Sequence, residues 1–437
     1  MLLFFVMELF IFAYPFKKAV IKTEKLSEII WGPALLFIIL GTGAFFTVAS
    51  WFFPILKAGF IIKSTFGKIL KNKSAFFATA TALGATVGTG NIIGVASAIA
   101  VGGPGAVFWM WVGAFFGMML KFAEAALAVR YKGGAMIYIK RAFGGNFLSV
   151  GWCVCCVLAS FGGGNMIQTY AAGKAFENAF DLSPIIIGII IAFLCGAVLF
   201  CGANAVIKTS SLLVPLMAAF YVMGCFGVLF VFKENLLSAI KSIFEEAFTP
   251  LSMGGGFGGF FLSKAVKTGI SKGTFTHEAG MGSASLAHSE SGEKNPLIQG
   301  CWGIVEVFID TIFVCSLTAL VILSAEKASA EEAFYSCFGD FGKVFLAVSM
   351  FLFALAAVIG WAFYGEKSLK YITKSRILTV LYRILFCFGA ILGSVSKLEF
   401  VWNVTDIFNG LMIFPNLAAI IFLAPEVFRI IKKKEHR

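Results

Sequence analysis

The residues best placed to do chemistry lie between Gly84 and Trp111, in the run GATVGTGNIIGVASAIAVGGPGAVFWMW. Glycines crowd an otherwise apolar stretch, and Asn91 is its one side-chain amide. In hydrocarbon an unpaired backbone group is costly, so a spanning helix avoids such breaks unless the freed groups line a cavity. There, amides at the start of a half-helix can hold an anionic group, and bare carbonyls can hold a cation. The amides of Thr89 and Gly90 are donors suited to a carboxylate, and the Asn91 side-chain oxygen suits a hard cation beside it. This is the chemistry of a site for a small zwitterion and an ion, which points to a transporter rather than an anchor. Small residues also serve close helix packing, and that is the reading for Gly94, Gly102 and Gly103.

A second glycine run, Gly254 to Gly259, offers the complementary groups. Unwound carbonyls at Gly255, Gly256 and Gly258 can accept from an ammonium, and Phe257 can line a side-chain pocket. Ser252 either adds a ligand to the cation or satisfies its hydroxyl on the backbone one turn back. The run contains G-x-G-x-x-G, with Glu278 near the offset of a ribose-binding acid. No strand precedes it, so a dinucleotide fold is excluded.

Ionisable groups inside apolar runs are functional candidates by default. Asp310 lies mid-span, as an ion or proton site or as a hydrogen-bond partner of the broken helix, and Glu306 is a further possible proton carrier. Lys121 and Glu124 stand three apart on one helix face and read as a local pair. Asp406, near the start of the last span, reads as a gate or a helix cap, with the structural role favoured, and His277 as a solvated loop residue. Cys337 is the one cysteine placed in a polar loop. Cys153 and Cys156 form C-x-x-C inside a membrane helix without a second pair or nearby histidines, which marks packing rather than zinc or redox chemistry.

The elements that must position these groups are membrane helices. Hydrophobic residues make up 59% of the 437 and charged residues 13%, against about 25% charged in soluble domains. Mean hydropathy is +0.92. Spans are expected near 30–53, 75–101, 105–130, 148–176, 183–203, 210–232, 239–272, 296–324, 343–372, 376–396 and 401–427, each long enough for a bilayer. Residues 1–16 are apolar but short, and a cleaved signal is disfavoured because no small-residue cleavage site follows. The net charge of +12 sits in short loops, where it sets orientation rather than binding nucleic acid. Loops 56–74, 130–146 and 264–294, the 366–376 region and the tail after 428 are basic, which places them and the C-terminus in the cytoplasm.

The two glycine-broken spans stand five apart, so each opens a five-helix half, and an odd number inverts the second half. Residues 1–74 form the extension and first helix, 75–232 the first repeat, 239–427 the second and 428–437 a basic tail. This is the arrangement of an inverted-repeat secondary transporter. The chain holds no G-x-x-x-x-G-K-[ST] motif for an ATP motor. It shows no continuous polar lining for a channel and no intramembrane nucleophile with a general base, so it does not read as an enzyme.

The strings GTGNIIGVASAIAVGGPGAVFWMWVGAFFGMMLKFAEAALAVRYK, GGGNMIQ, GGFGG, THEAGMGSASLAHS, VFIDTIFVC, IGWAFYGE and DIFNGLMIFPNL carry a specific likeness. In this order, from Trp31 to Pro425, they resemble the alanine or glycine:cation symporters of bacteria and archaea. The resemblance implies an all-α membrane protein of the leucine-transporter type, with about eleven transmembrane helices: five plus five inverted, and one in front. It implies import of a small neutral amino acid with a cation, sodium or else a proton, across the inner membrane, with no cofactor. It also implies that Thr86 and Asn91 ligate a sodium ion, and that the carbonyls of Gly84 and Val87 face a second ion. Gln168 and Trp361 are then pocket residues, the indole limiting the side chain to alanine or glycine size.

The chain departs from the family pattern at three places. Ala354-Leu355-Ala356-Ala357 stands where the family reads A-F-S-T, so both hydroxyls of the second sodium site are absent. Gln168-Thr169-Tyr170 replaces Q-A-N, and His277 replaces an asparagine. The first departure opens the alternative of a proton-coupled or cation-independent transporter of the same fold.

Overall fold

The computed structural model describes residues 16–69, 73–248, 264–396 and 398–432. Within these the chain is helical. The main helices are α1 (Phe16–Ile30), α2 (Pro33–Ala49), α3 (Lys73–Thr86), α4 (Val95–Gly102), α5 (Gly105–Tyr131), α6 (Ala135–Phe143) and α7 (Phe147–Phe161). They continue as α8 (Ile167–Phe180), α9 (Pro184–Phe200), α10 (Ala203–Val231), α11 (Leu236–Ala247), α12 (Lys264–His277) and α13 (Pro296–Val307). The last are α14 (Ser316–Ser324), α15 (Ala330–Phe338), α16 (Asp340–Ile372), α17 (Arg376–Ser394), α18 (Leu398–Phe422) and α19 (Ala424–Lys432). Pro33, Pro184 and Pro296 open their helices, where the missing N–H costs nothing.

Eight described helices are long and apolar enough to cross a membrane, nine if a bent pair counts as one span. That pair is α3 with Gly90–Gly102, turned through 54° at the break. Of the eleven expected spans, 183–203 appears as the 17-residue apolar helix α9. The middle of 239–272 lies outside the described residues, leaving α11 and α12 on either side. The first span begins earlier than expected, since Val20–Ala49 passes as one unit. Cys337 belongs to α15, which corrects its loop placement.

The helix α5 forms the centre of the bundle. Its buried face runs from Gly105 to Ala128, and α12, α13 and α2 pack against it. Approach to α13 is close: a Cβ on Gly303 would lie 2.8 Å from the Lys121 carbonyl oxygen. Among the described residues three segments form wider turns: Gly90–Gly94 just after the break, and Gly162–Met166 and Phe308–Cys315 within otherwise continuous helices. Such π-type turns release backbone groups from the regular ladder and collect at functional sites. The first and third were foreshadowed by Asn91 and Asp310; the second lies in GGGNM, read only as part of a continuous span.

The expected cytoplasmic loop 264–294 is largely interior. Residues 264–277 are the helix α12, and every residue from Gly273 to His288 except the partly buried Phe275 is buried. His277 is 1% exposed and its Nδ1 accepts from the Ala279 amide at 3.0 Å, so it is not a solvated loop residue. The chain turns there through Glu278, Gly280 and Gly282, all at positive φ. Small residues let this segment thread between helices, and larger ones would not fit: a Cβ on Gly282 would meet Asn416 Oδ1 at 2.7 Å.

Candidate functional site

The break after α3 follows from what its amides do instead of continuing the ladder. The Gly88 N–H donates to Asn91 Oδ1 at 3.0 Å, and the Thr89 N–H donates to Gln168 Oε1 at 2.9 Å. The Asn91 N–H turns back to the Gly88 carbonyl at 3.1 Å. The carbonyls of Gly84, Ala85, Thr86 and Val87 therefore have no amide partner among the described residues, and neither does the Gly90 N–H. Freed acceptors on one side and a free donor at the start of a half-helix are the two poles a zwitterion and a cation require.

Asn91 fastens this geometry. It is fully buried, and its Nδ2 donates to Asp310 Oδ1 at 2.8 Å and to the Asp310 carbonyl at 3.1 Å. Asp310 Oδ2 accepts from Thr311 Oγ1 at 2.7 Å. A bond to a charged partner contributes about 1.5–3 kcal/mol. The Phe308–Cys315 turn thus holds the first break by its carboxylate, as the sequence allowed. The Asn91 oxygen caps Gly88, leaving one lone pair for an ion. Thr86 Oγ1 bonds back along its own helix, to Ala82 and Leu83 carbonyls at 3.2 and 3.3 Å.

Gln168 ties the break to the Gly162–Met166 turn. Its Oε1 also accepts from Thr89 Oγ1 at 2.8 Å, and its Nε2 donates to the Gly163 carbonyl at 3.0 Å. A pocket opens beside it, lined by Thr86, Gly90, Gln168, Phe275, Trp361, Glu278 and Asn409. Trp361 is 4% exposed and lies over Gly164 so closely that a Cβ there would be 2.2 Å from its Cγ. A second pocket holds Thr89, Gly90 and Tyr170, with Trp402 across from them. The expected pocket residues Thr89, Gly90, Gln168 and Trp361 are thus brought together. Gly84 and Val87 are buried on the other side of the break. Gly255, Gly256, Phe257, Gly258 and Ser252 lie outside the described residues.

The alanines that replace the family hydroxyls lie beside the break, Ala357 by its methyl and Ala356 by its carbonyl. A Cβ on Gly84 would lie 3.7 Å from the Ala356 carbonyl, and one on Gly88 would lie 3.2 Å from Ala357 Cβ. The Ser210 hydroxyl, on α10, is 3.7 Å from the same Gly84 position and has no hydrogen-bond partner. Nothing in its surroundings in sequence, SSLLV, marked it for this place.

A buried polar cluster joins α5, α13 and the 277–288 segment. Lys121 does not pair with Glu124, as their spacing suggested. Its Nζ is 3.1 Å from Glu306 Oε1, both side chains being fully buried. Glu306 Oε2 is 2.8 Å from His288 Nε2, and Gln299 closes the chain on His288 Nδ1 at 2.7 Å. Glu306 is therefore an ion-pair partner of α5 and of the buried segment. Glu124 instead accepts the amides of Gly280 and Gly282 at 2.9 and 3.0 Å and the Asn416 side chain at 2.7 Å. Asp406 lies within α18, beyond its first turn, and does not cap it; its carbonyl accepts from Trp31 Nε1 at 2.8 Å. Sequence reasoning missed Glu278, Asn409 and Ser210. Glu278 was weighed only as a nucleotide-binding acid, and Asn409 only within a family string.

Among the described residues no group of three or more His, Cys, Asp or Glu side chains could hold a metal ion. Comparison with known proteins agrees with the architecture. The sodium:alanine symporter family profile matches residues 17–437. The chain is 35% identical to the sodium/alanine symporter AgcS of Methanococcus maripaludis, over 94% of this chain and 97% of that protein. It is 32% identical to the probable sodium/glutamine symporter GlnT of Bacillus subtilis, over 93% of this chain and 88% of that protein. Among solved structures, MhsT in complex with L-phenylalanine superposes with a TM-score of 0.57 at 14% identity, covering 81% of this chain and 97% of that one. That likeness fixes the fold as the leucine-transporter type. A broken first helix clamped by Asn91 and Asp310, a pocket under Trp361 and a full-length family match lead to one conclusion: the chain is a membrane transporter, not an enzyme, and belongs to the sodium:alanine symporter family.

Proposed function

We propose that this chain imports a small neutral amino acid of the alanine or glycine class, coupled to sodium, by alternating access across a prokaryotic inner membrane with its C-terminus in the cytoplasm. The observation that carries the reading is the free Gly90 amide facing the pocket under Trp361, beside the freed carbonyls of Gly84 to Val87. The substrate carboxylate would take the Gly90 donor. Thr89 is tied to Gln168 and would join only if that bond exchanges. The indole of Trp361 then leaves room for a short side chain. A cation at Thr86 and Asn91, with the Gly84 and Val87 carbonyls behind it, would stabilise the substrate-competent break, and that differential binding couples the two fluxes. The repeats 75–232 and 239–427 would rock about this site. The glycine run 254–259 would supply the ammonium acceptors.

Proton coupling is the second reading, favoured by Ala356 and Ala357 against the break. The test is competition for labelled alanine uptake in proteoliposomes. Glycine and serine should compete and leucine should not; equal competition by leucine would remove the size argument.

A further inference from the structure

Four carboxylates are buried around the centre of the molecule. Glu124, Glu278, Glu306 and Asp310 are each at most 2% exposed, while Lys121 is the one buried lysine or arginine among the described residues. Three of the four have two or more partners. Glu306 has Lys121 and His288, Glu124 has two backbone amides and Asn416, and Asp310 has Asn91 and Thr311. Glu278 has a single hydroxyl, Ser283 Oγ at 2.5 Å from its Oε2. A buried carboxylate so poorly matched is costly to keep ionised unless a positive group joins it.

Glu278 also lines the pocket under Trp361, and the same pocket is lined by Asn409 from α18. Asn409 is 3% exposed and its Oδ1 has no hydrogen-bond partner. A buried acceptor without a donor is rare and needs an account. Ala85 lines the same pocket, and its carbonyl has no amide partner among the described residues. An anionic oxygen, an orphan amide oxygen and a bare carbonyl around one cavity form an all-oxygen, electron-rich set. Hard cations select such sets.

We propose that Glu278 and Asn409 form a binding site for an alkali cation, sodium by its fit to cation coupling, in the wall of the substrate pocket. It is distinct from the Thr86–Asn91 site and rests on the cation-coupled reading. The site supplies the compensating charge that the interior lacks, and it joins the turn after α12 to α18 when occupied. Its occupancy would therefore report on closure of the pocket from the side of the buried 277–288 segment. It would also supply a second coupled ion in a chain without the Ala356 and Ala357 hydroxyls.

The test is equilibrium binding of radioactive sodium to purified full-length protein in the absence of any amino acid. Glu278→Gln keeps shape and can still accept from Ser283, and Asn409→Leu removes the orphan oxygen; each should weaken sodium binding at least tenfold. Asn409→Asp should retain or tighten it. Monodispersity and thermal unfolding verify that each variant is folded, and the two positions stand in for one another if one variant fails to fold. Unchanged sodium affinity in both neutral variants would overturn the proposal. So would a loss of amino-acid affinity with sodium binding intact, which would assign Glu278 to the substrate ammonium. Wild-type protein that binds no sodium would also overturn it. Failure of the broader reading is separate: wild-type proteoliposomes would then show no cation-driven amino-acid uptake at all.

Discussion

Gly164 is the position where the pocket wall is most sharply constrained. A Cβ there would lie 2.3 Å from Trp361 Cβ and 2.2 Å from its Cγ, where ordinary contact begins at 3.4 Å. Rotating the indole does not relieve the clash, because the Trp361 Cβ is fixed to its own backbone. The Gly162–Met166 turn and α16 must separate by roughly 1 Å, which is the shortfall between those distances. Overpacking of this kind costs about 1–3 kcal/mol. If it falls on the bound state, substrate affinity drops by roughly 5- to 150-fold, at 1.4 kcal/mol per decade. The assay is amino-acid binding to purified Gly164→Ala by calorimetry, with thermal unfolding in parallel. Trp361→Gly removes the opposing Cβ, so Gly164→Ala in that background should cost little further stability, a non-additive pair. Affinity would remain weak in the double variant because the indole is gone. Gly164→Ala with wild-type affinity and wild-type unfolding would refute the reasoning, since the helices would then not be held at the spacing described.

Three further outcomes follow from the same geometry. Lys121→Met should destabilise the protein by about 3–5 kcal/mol, because Glu306 is left buried beside His288 alone; adding Glu306→Gln should recover part of that loss in an unfolding measurement, and additive costs would contradict the pairing. Trp361→Ala should admit leucine or methionine in a competition panel, and an unchanged panel would make Trp361 a packing residue. Ala356→Ser with Ala357→Thr should raise sodium affinity or create sodium dependence, read as the sodium concentration for half-maximal uptake; no shift would mean that the alanines do not face an ion.

Much of this was legible because membrane folding leaves marks on sequence. The glycine break at Gly88 to Asn91 stands out against apolar neighbours, and Asp310 is conspicuous because a mid-span carboxylate is expensive. Both were found, and the structure shows them bonded to each other. What stayed hidden is pairing between distant elements. Lys121 looks local to Glu124 on a helix wheel, yet α13 brings Glu306 to it, and no periodicity encodes that choice. The segment from His277 to His288 reads as a polar loop because it contains histidine, glutamate and serine. Its alternation of glycine, alanine and serine was the available signal for threading between helices. The wide turn at Gly162–Met166 was hidden in a string of glycines, which fits a continuous helix as well as a broken one. Glu278 and Asn409 are single polar residues on separate elements, and only the fold puts them around one cavity.

The central claim is that a cation gradient drives a small amino acid through the site at the broken first helix. Its most direct measurement is uptake of labelled alanine into proteoliposomes carrying wild-type protein or Asn91→Ala, under an inward sodium gradient, an inward proton gradient or neither. The account predicts accumulation above the outside concentration in wild type under the sodium gradient, abolished when that gradient is dissipated, and absent in folded Asn91→Ala. Wild-type uptake that only equilibrates under every gradient, or Asn91→Ala protein that accumulates alanine as the wild type does, would contradict it.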